Sequence, residues 1–163
     1  MAEEKINLDK YIEEILNKLE DNEKIIKELY QVYAQKDPKR KEFWDKLGKE
    51  ELLHAEWIES FRSKEKEGFC YHKARFTREA LNSFFSYIKD LVNEAQENQL
   101  TDIEMLGRAL DIENALIEKN FFESFEGDSV EFKYLIYILK SATEEHVERV
   151  KKALEESKNE IKD

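Results

Sequence analysis

Glutamates and histidines occupy positions in this chain where helical periodicity calls for a large apolar residue. Apolar side chains recur in alternating steps of three and four, the spacing of one face of an α-helix. Five polar residues continue these apolar stripes: Glu23, Glu51, His54, Glu113 and His146. A stripe of this kind faces the interior, where an unpaired carboxylate is costly. The chain therefore needs a cation among these side chains, and a metal ion is the simplest candidate.

Composition restricts the chain to helical structure. Four glycines and one proline leave few positions for turns, whereas the abundant Glu, Lys, Leu and Ile favour helix. The chain has 163 residues, of which 40% are hydrophobic, and its composition does not change along its length. We therefore expect a single all-α domain over residues 1–163.

Charge and cysteine usage exclude several classes of protein. The formal net charge is −11 with no Lys/Arg cluster to offset it, so we expect no binding to nucleic acid, which requires a basic face. The N-terminus lacks an apolar leader, and no run approaches the roughly 18 apolar residues of a membrane span. We therefore expect a cytoplasmic protein that does not bind membranes. Cys70 is the single cysteine, which excludes an intrachain disulfide and a four-cysteine metal site.

The first half of the chain predicts a helical hairpin over about residues 8–63. Its first helix spans about residues 8–35. The only proline follows in Asp37-Pro38, which is typical of an N-cap followed by proline at the first helical position. The next helix carries the apolar stripe from Trp44 to Phe61.

The second half predicts another hairpin, over about residues 101–161. Thr101-Asp-Ile-Glu104 matches a capping box and should open its first helix. We expect that helix to end near Gly127 and the last helix to be capped by Asp128 or Ser129.

The segment over residues 64–100 is far longer than an ordinary loop between bundle helices. It contains an amphipathic stretch from Leu81 to Val92, which predicts a short extra helix. Two antiparallel hairpins joined by one long crossover form the topology of a ferritin-like four-helix bundle. The fold predicted is therefore an all-α, ferritin-like antiparallel bundle with a crossover helix.

The polar stripe residues repeat between the two hairpins. Glu23 precedes His54 by 31 residues, and Glu113 precedes His146 by 33, so each hairpin would contribute half of one site. Residues three apart on a helix point the same way, which allows Glu51 and His54 to reach one ion. Glutamates and histidines from four helices build carboxylate-bridged di-iron or di-manganese sites. This donor set favours iron or manganese, and imidazole also suits zinc.

A lone histidine on an apolar face is more often a core residue than a metal ligand. Here the joint pattern carries the prediction, because two of the three histidines lie on stripes at matching distances after stripe glutamates. The third, His72, falls in the crossover, where we expect it to be solvated. A further open question concerns six phenylalanines, which could form the face of a homodimer, although core and crossover packing explains most of them: Phe84, Phe85, Phe121, Phe122, Phe125 and Phe132.

Four stretches carry a resemblance to a known family: Asn22-Glu23-Lys-Ile-Ile-Lys-Glu-Leu-Tyr30, Phe43-Trp44-Asp-Lys-Leu47-Gly-Lys-Glu50-Glu51-Leu-Leu-His54-Ala55, Ala109-Leu-Asp-Ile-Glu113 and Leu139-Lys-Ser-Ala-Thr-Glu-Glu-His146. Over nearly its whole length the chain resembles the rubrerythrin branch of the ferritin-like superfamily. The resemblance implies metal-ligand roles for Glu23, Glu51, His54, Glu113 and His146. It also implies that Tyr30 lies beside the metals as a hydrogen-bonding group.

Two departures from the family limit what the resemblance implies. Thr143 stands where the family has a sixth ligand, a glutamate, and the neighbouring Glu144 and Glu145 point about 100° and 200° away from His146 around the helix. One metal would then be weakly held, the site would be mononuclear, or water would replace the carboxylate. The family's rubredoxin-type domain is also missing, so a redox cycle would need an external electron donor.

The sequence therefore supports two hypotheses from different classes. The first is a rubrerythrin-like protein that binds non-haem iron and oxidises ferrous iron or reduces peroxide. The second is a metal-poor or metal-free bundle that serves as a structural or interaction protein, and Thr143 favours it. The sequence does not decide between an enzyme and a non-catalytic protein, and no hydrolytic motif is found.

Overall fold

The computed structural model describes residues 2–64, 78–118 and 130–162. All regular structure in these ranges is helical, with five α-helices and one short 3-10 turn, and no strand occurs within them. The elements in chain order are α1 (Ala2–Lys36), a 3-10 turn (Pro38–Arg40), α2 (Lys41–Lys64), α3 (Arg78–Glu97), α4 (Asp102–Glu118) and α5 (Val130–Glu160). The all-α prediction is thus confirmed for these ranges. None of their helices combines the length and apolarity that crossing a bilayer requires.

The turn between α1 and α2 is held by the aspartate that precedes the proline. The Asp37 carboxylate accepts a hydrogen bond from the Arg40 backbone N–H at 3.2 Å and another from Trp44 Nε1 at 3.1 Å. Pro38 is the first residue of the 3-10 turn, so its lack of an N–H costs no hydrogen bond. The predicted cap is confirmed, but α1 begins at Ala2 rather than near residue 8. Residues 2–7 contain no glycine or proline and include the strong helix formers Ala2, Glu3 and Lys5, which favours this earlier start.

The predicted capping box opens α4. The Thr101 backbone N–H donates to Glu104 Oε2 at 2.8 Å, and the Glu104 backbone N–H donates to Thr101 Oγ1 at 3.2 Å. These reciprocal bonds satisfy two donors that have no partner inside the helix. The predicted end of this helix near Gly127 and the cap at Asp128 or Ser129 lie outside the described residues.

The long helices pack as two antiparallel pairs around a shared apolar core. In the first pair, the ring of Tyr30 in α1 lies 5.7 Å from that of Trp44 in α2. At the other end of this pair, Arg62 of α2 reaches back to Glu20 of α1 at 3.0 Å. In the second pair, Ser157 near the end of α5 donates to Asp102 at the start of α4, over 2.9 Å. The helices α2 and α5 also lie side by side, which joins the two pairs into one helical bundle.

The helix in the connection is longer than predicted. It covers 20 residues, Arg78–Glu97, and runs parallel to α1 along most of its length. Lys18 of α1 donates to Asn82 at 2.7 Å, and Lys36 donates to the backbone carbonyl of Gln96 at 3.4 Å. The apolar stripe predicted for α3 is buried and continues beyond its predicted end, which explains the extra length: Leu81, Ile88, Leu91, Val92 and Ala95.

The phenylalanines considered for a dimer face are described only in part. Phe84 and Phe85 are partly buried and pack against the core, as ordinary crossover packing requires. The remaining four, whose side chains lie outside the description, are Phe121, Phe122, Phe125 and Phe132. Cys70 and His72 also lie outside the described residues.

Candidate metal centre

All five polar residues of the apolar stripes meet in the interior of the bundle. Each is at most 4% exposed. Four helices contribute to the cluster: α1 supplies Glu23, α2 supplies Glu51 and His54, α4 supplies Glu113 and α5 supplies His146. The helical period places these side chains on the inward faces because each one continues an apolar stripe.

The cluster divides into two groups that share one carboxylate. Glu23, Glu51 and His54 form the first group, and Glu51, Glu113 and His146 form the second. Within each group the ligand atoms lie within 4.8 Å of one another. The two imidazole rings stack with their centroids 5.2 Å apart and their planes at 26°. This arrangement offers positions for two neighbouring cations with Glu51 between them.

The two oxygens of Glu51 face different histidines. Its Oε2 lies 2.9 Å from His54 Nδ1, and its Oε1 lies 2.8 Å from His146 Nδ1. The outer carboxylates are somewhat farther away, with Glu23 Oε2 at 3.6 Å from His54 Nδ1 and Glu113 Oε1 at 3.3 Å from His146 Nδ1. Each histidine therefore presents Nδ1 to a pair of carboxylates, which gives each group one imidazole and two carboxylates as candidate ligands.

Several of these buried atoms lie at ion-pair distance from one another but make no well-aligned hydrogen bond within the described part of the chain. They include Glu23 Oε2, Glu51 Oε1 and His146 Nδ1. Buried polar atoms are hydrogen-bonded in the great majority of cases, so their convergence at one place calls for an additional group. Carboxylate oxygens combined with imidazole nitrogens suit iron, manganese or zinc. By donor chemistry and by the unpaired atoms, the cluster fits a pair of metal ions.

The charges within the cluster shift every pKa in it. Burial alone would lower the pKa of each histidine, but the carboxylates outweigh it and raise the pKa of His54 to about 10 and that of His146 to about 11. Burial opposes ionisation of Glu51, yet the two imidazoles hold the pKa of this carboxyl well below its usual range. Burial raises the pKa of Glu23 to about 8, and burial together with the Glu51 charge raises that of Glu113. Without metal, protons serve as the cations of this cluster.

Tyr30 lies beside the second group, where the resemblance places it. Its phenol donates a hydrogen bond to Glu113 Oε1 over 2.6 Å, and the side chain is fully buried. Burial and the charge of Glu113 raise the pKa of Tyr30 well above its usual value. The phenol therefore keeps its proton and fixes one oxygen of Glu113.

Thr143, on the same helix as His146, takes no part in either group. Thr143 is 3% exposed, and its hydroxyl donates to the backbone carbonyl of Leu139, one turn earlier, at 2.9 Å. The Thr143 hydroxyl thus donates its proton to the backbone of its own helix. The position is buried beside the cluster but supplies no carboxylate.

A further acidic residue touches the cluster, and no pattern in the sequence predicts this contact. Glu50 Oε2 lies 3.0 Å from His146 Nε2, on the opposite edge of the ring from Glu51. The guanidinium of Arg149 holds the same carboxylate. Burial opposes ionisation, but Arg149 and His146 lower the pKa of Glu50. Glu50 lies off the apolar stripe, so its spacing is that of a solvated surface residue.

Taken together, the fold and the cluster define a helical bundle with a buried carboxylate–histidine centre. Compared with models of known protein families, with curated proteins and with solved structures, the chain gave no match. Its function therefore has to be inferred from the geometry of the centre.

Proposed function

We propose that this protein binds two metal ions, with iron as the preferred metal, in the cluster around Glu51. The observation that carries the proposal is the sharing of Glu51 by two buried groups, each with one histidine and one further glutamate. An uncompensated carboxylate in the interior is strongly unfavourable, and three of them converge here. Two divalent cations would neutralise them and replace the protons that the histidines otherwise retain.

The geometry gives each residue a definite role in this proposal. Glu51 would be shared by the two ions, since each of its oxygens faces a different histidine. Glu23 and His54 complete one position, and Glu113 and His146 complete the other. Iron fits the mixed oxygen and nitrogen donors, and manganese or zinc could bind the same set.

The arrangement of helices supports a ferritin-like bundle of the rubrerythrin type. Each antiparallel pair supplies one half of the centre, and α3 lies in the long connection between the pairs. The ligands come from α1, α2, α4 and α5, as they do in four-helix bundles that hold a di-iron carboxylate centre. The departure at Thr143 leaves one fewer carboxylate than that pattern contains.

An iron pair of this kind supplies electrons for the reduction of peroxide or dioxygen, and we propose that ferrous iron oxidation or peroxide reduction is the reaction. The chain's own residues bind the ions, keep the pocket dry and hold the Tyr30 proton on its phenol next to Glu113. Renewed turnover would draw electrons from an external donor protein or small reductant.

Metal analysis tests the proposal directly. The protein is purified without chelators or metal-affinity resin, assayed for iron, manganese and zinc, and assayed again after anaerobic loading with ferrous iron. We expect about two irons per chain and ferric absorption bands after exposure to air or peroxide. Glu56→Ala is a matched control, because this glutamate lies on the exposed side of α2. Absence of bound metal after loading would contradict the proposal.

A second candidate function is favoured by one observation. The histidines already pair with the carboxylates at distances between 2.8 and 3.6 Å, so their protons can neutralise part of the cluster without metal. On this reading the protein is a structural or interaction bundle that retains the side chains of a metal centre. It predicts that Glu23→Ala or His54→Ala changes stability by the same amount whether or not ferrous iron has been added.

Restoring the missing carboxylate should strengthen metal binding. We expect Thr143→Glu to raise the affinity of the weaker of the two metal positions by about tenfold or more, since loss of even an indirect contact to a metal ligand costs 10–100-fold. The metal-free form of this variant should be less stable than the parent protein, because it buries another carboxylate. Calorimetric titration with ferrous iron or cobalt, together with denaturant unfolding, measures both effects.

Thr143→Val is the matched control for this substitution. It keeps the shape of the side chain and removes only the hydroxyl that bonds to Leu139. We expect its metal affinity to equal that of the parent protein. An unchanged affinity in the glutamate variant would show that the missing carboxylate does not limit metal binding.

A further inference from the structure

The imidazole of His146 is held between carboxylates on both of its edges. Its Nδ1 faces Glu51 at 2.8 Å and Glu113 at 3.3 Å. Its Nε2 lies 3.0 Å from Glu50 Oε2, on the far side of the ring. The ring is almost fully buried, with 1% of the residue exposed, so its orientation is set by these contacts and by packing.

Glu50 is itself held in place by an arginine from the same helix as His146. Arg149 contacts both oxygens of the Glu50 carboxylate: Nη1 approaches Oε1 at 3.3 Å, and Nη2 approaches Oε2. A guanidinium and a carboxylate joined by two parallel contacts form a geometrically defined pair. Both side chains are only about 30% exposed, which reduces the competition from water.

Glu50 belongs to neither group of candidate ligand atoms. It follows none of the apolar stripes, and its carboxylate meets the nitrogen of His146 that points away from Glu51. A histidine that binds a metal through one nitrogen normally donates the N–H of the other to a carboxylate or carbonyl. That second bond fixes which nitrogen carries the proton and therefore which one offers its lone pair.

The two histidines of the centre differ in how many of their ring nitrogens contact a carboxylate. Among the described residues, the polar contacts of His54 involve Nδ1 only, whereas His146 has a carboxylate at each nitrogen. The half with the additional carboxylate is also the one whose helix carries Thr143 instead of a ligand.

We infer that Glu50 is a positioning residue, which accepts the Nε2–H of His146, is anchored by Arg149 and turns Nδ1 towards the second metal position. This inference rests on the proposed metal function. The Glu50–Arg149 pair offsets part of the loss of the sixth ligand, because a fixed imidazole loses less freedom on binding a metal. The effect is confined to the position made by Glu51, Glu113 and His146.

Cobalt titration of the full-length protein tests this role. Co²⁺ is added to the parent chain and to Glu50→Ala, Glu50→Gln and Arg149→Met, and binding is followed by visible absorption and by competition with a chelator. We expect Glu50→Ala to weaken one of two cobalt sites by about 10–100-fold and to leave the other unchanged. Glu50→Gln should recover most of the affinity, because its amide oxygen can still accept the Nε2–H. Arg149→Met should give a smaller loss of the same sign.

A spectroscopic measurement separates positioning from a general effect on folding. In the zinc-loaded parent protein, ¹⁵N chemical shifts of His146 should show a proton on Nε2 and a metal on Nδ1, and in Glu50→Ala this proton should exchange faster with water. Glu56→Ala, an exposed glutamate on the same helix, should match the parent protein in every measurement.

Three results would overturn the inference. The first is equal cobalt affinity and equal Nε2–H exchange in the parent protein and Glu50→Ala. The second is complete loss of one cobalt in both Glu50→Ala and Glu50→Gln, which would make Glu50 a direct ligand. The third is absence of cobalt binding by the parent chain, which overturns the proposed function as well. The first two results leave the parent protein with two sites, so the two failures are distinguishable.

Discussion

Replacing Glu51 by alanine should abolish binding of both metal ions that we propose for the cluster. Every other residue of the cluster belongs to one group, whereas Glu51 belongs to both and places one oxygen opposite each histidine. The substitution will also destabilise the metal-free protein by about 3–5 kcal/mol, because it leaves two buried, protonated imidazoles without their shared counter-ion. Metal analysis after ferrous loading and denaturant unfolding of the metal-free protein measure the two losses.

Two variants serve as controls for Glu51→Ala. Glu51→Gln keeps the volume of the side chain, so a loss of metal in it reflects the missing charge rather than a cavity. Glu56→Ala, on the exposed side of the same helix, should keep both metals and the full stability. Retention of two metals in Glu51→Ala would disprove the bridging role of this carboxylate.

The stability of the metal-free protein will fall as the pH rises from about 7 to about 10. The pKa of His54 is raised to about 10 and that of His146 to about 11, from 6.5, and that of Glu23 is raised to about 8, from 4.5. Above about pH 7 the unfolded chain has lost these protons, whereas the folded chain keeps that of Glu23 up to about pH 8 and those of the two histidines up to about pH 10, so a rise in pH favours unfolding. Each additional proton held by the folded state contributes a slope of about 1.4 kcal/mol per pH unit.

Glu51 does not alter the sign of this dependence. Its pKa lies below the usual range in the folded state, so its contribution is complete above about pH 4.5 and constant between pH 7 and 10. The contribution is lost only as the pH falls towards its folded pKa. Metal should remove most of the slope, because bound ions take the place of the retained protons.

Denaturant unfolding at several pH values, with and without loaded metal, measures this effect. The His54→Gln, His146→Gln double variant is the control for general charge repulsion in a chain with a net charge of −11, which also grows with pH. We expect the double variant to show a much smaller slope than the metal-free parent protein. Equal slopes in both would show that the cluster does not hold the additional protons.

The side chains of the cluster could be placed in the interior from the sequence, because their spacing puts them on the apolar faces of the helices. A glutamate or histidine that continues an apolar stripe has to be buried, and Glu23, Glu51 and His146 were predicted on this basis alone. The caps at Asp37 and Thr101 were equally local, since each pattern needs only the following three residues.

Features that depend on contacts between helices could not be predicted from the spacing of residues along the chain. Glu50 and Arg149 lie 99 residues apart on different helices, and each alone resembles a solvated charge. The length of α3 depends on its packing along α1, which its stripe from Leu81 to Val92 does not reveal. The resemblance to rubrerythrins predicts a carboxylate at position 143, but the bond from the Thr143 hydroxyl to Leu139 does not follow from the spacing.

The two proposed metal positions differ in the length of chain that must close to bring their residues together. The second position needs Glu51 of α2 together with residues of α4 and α5. Glu23 and His54 are 31 residues apart, whereas Glu51 and His146 are 95 apart. Loop closure over the longer segment costs more entropy and comes later in folding. The first position is therefore complete in a nascent chain that has released α1 and α2. The second forms only after most of α5 has left the ribosome, so the two halves of the proposed centre can be completed only in this order during synthesis.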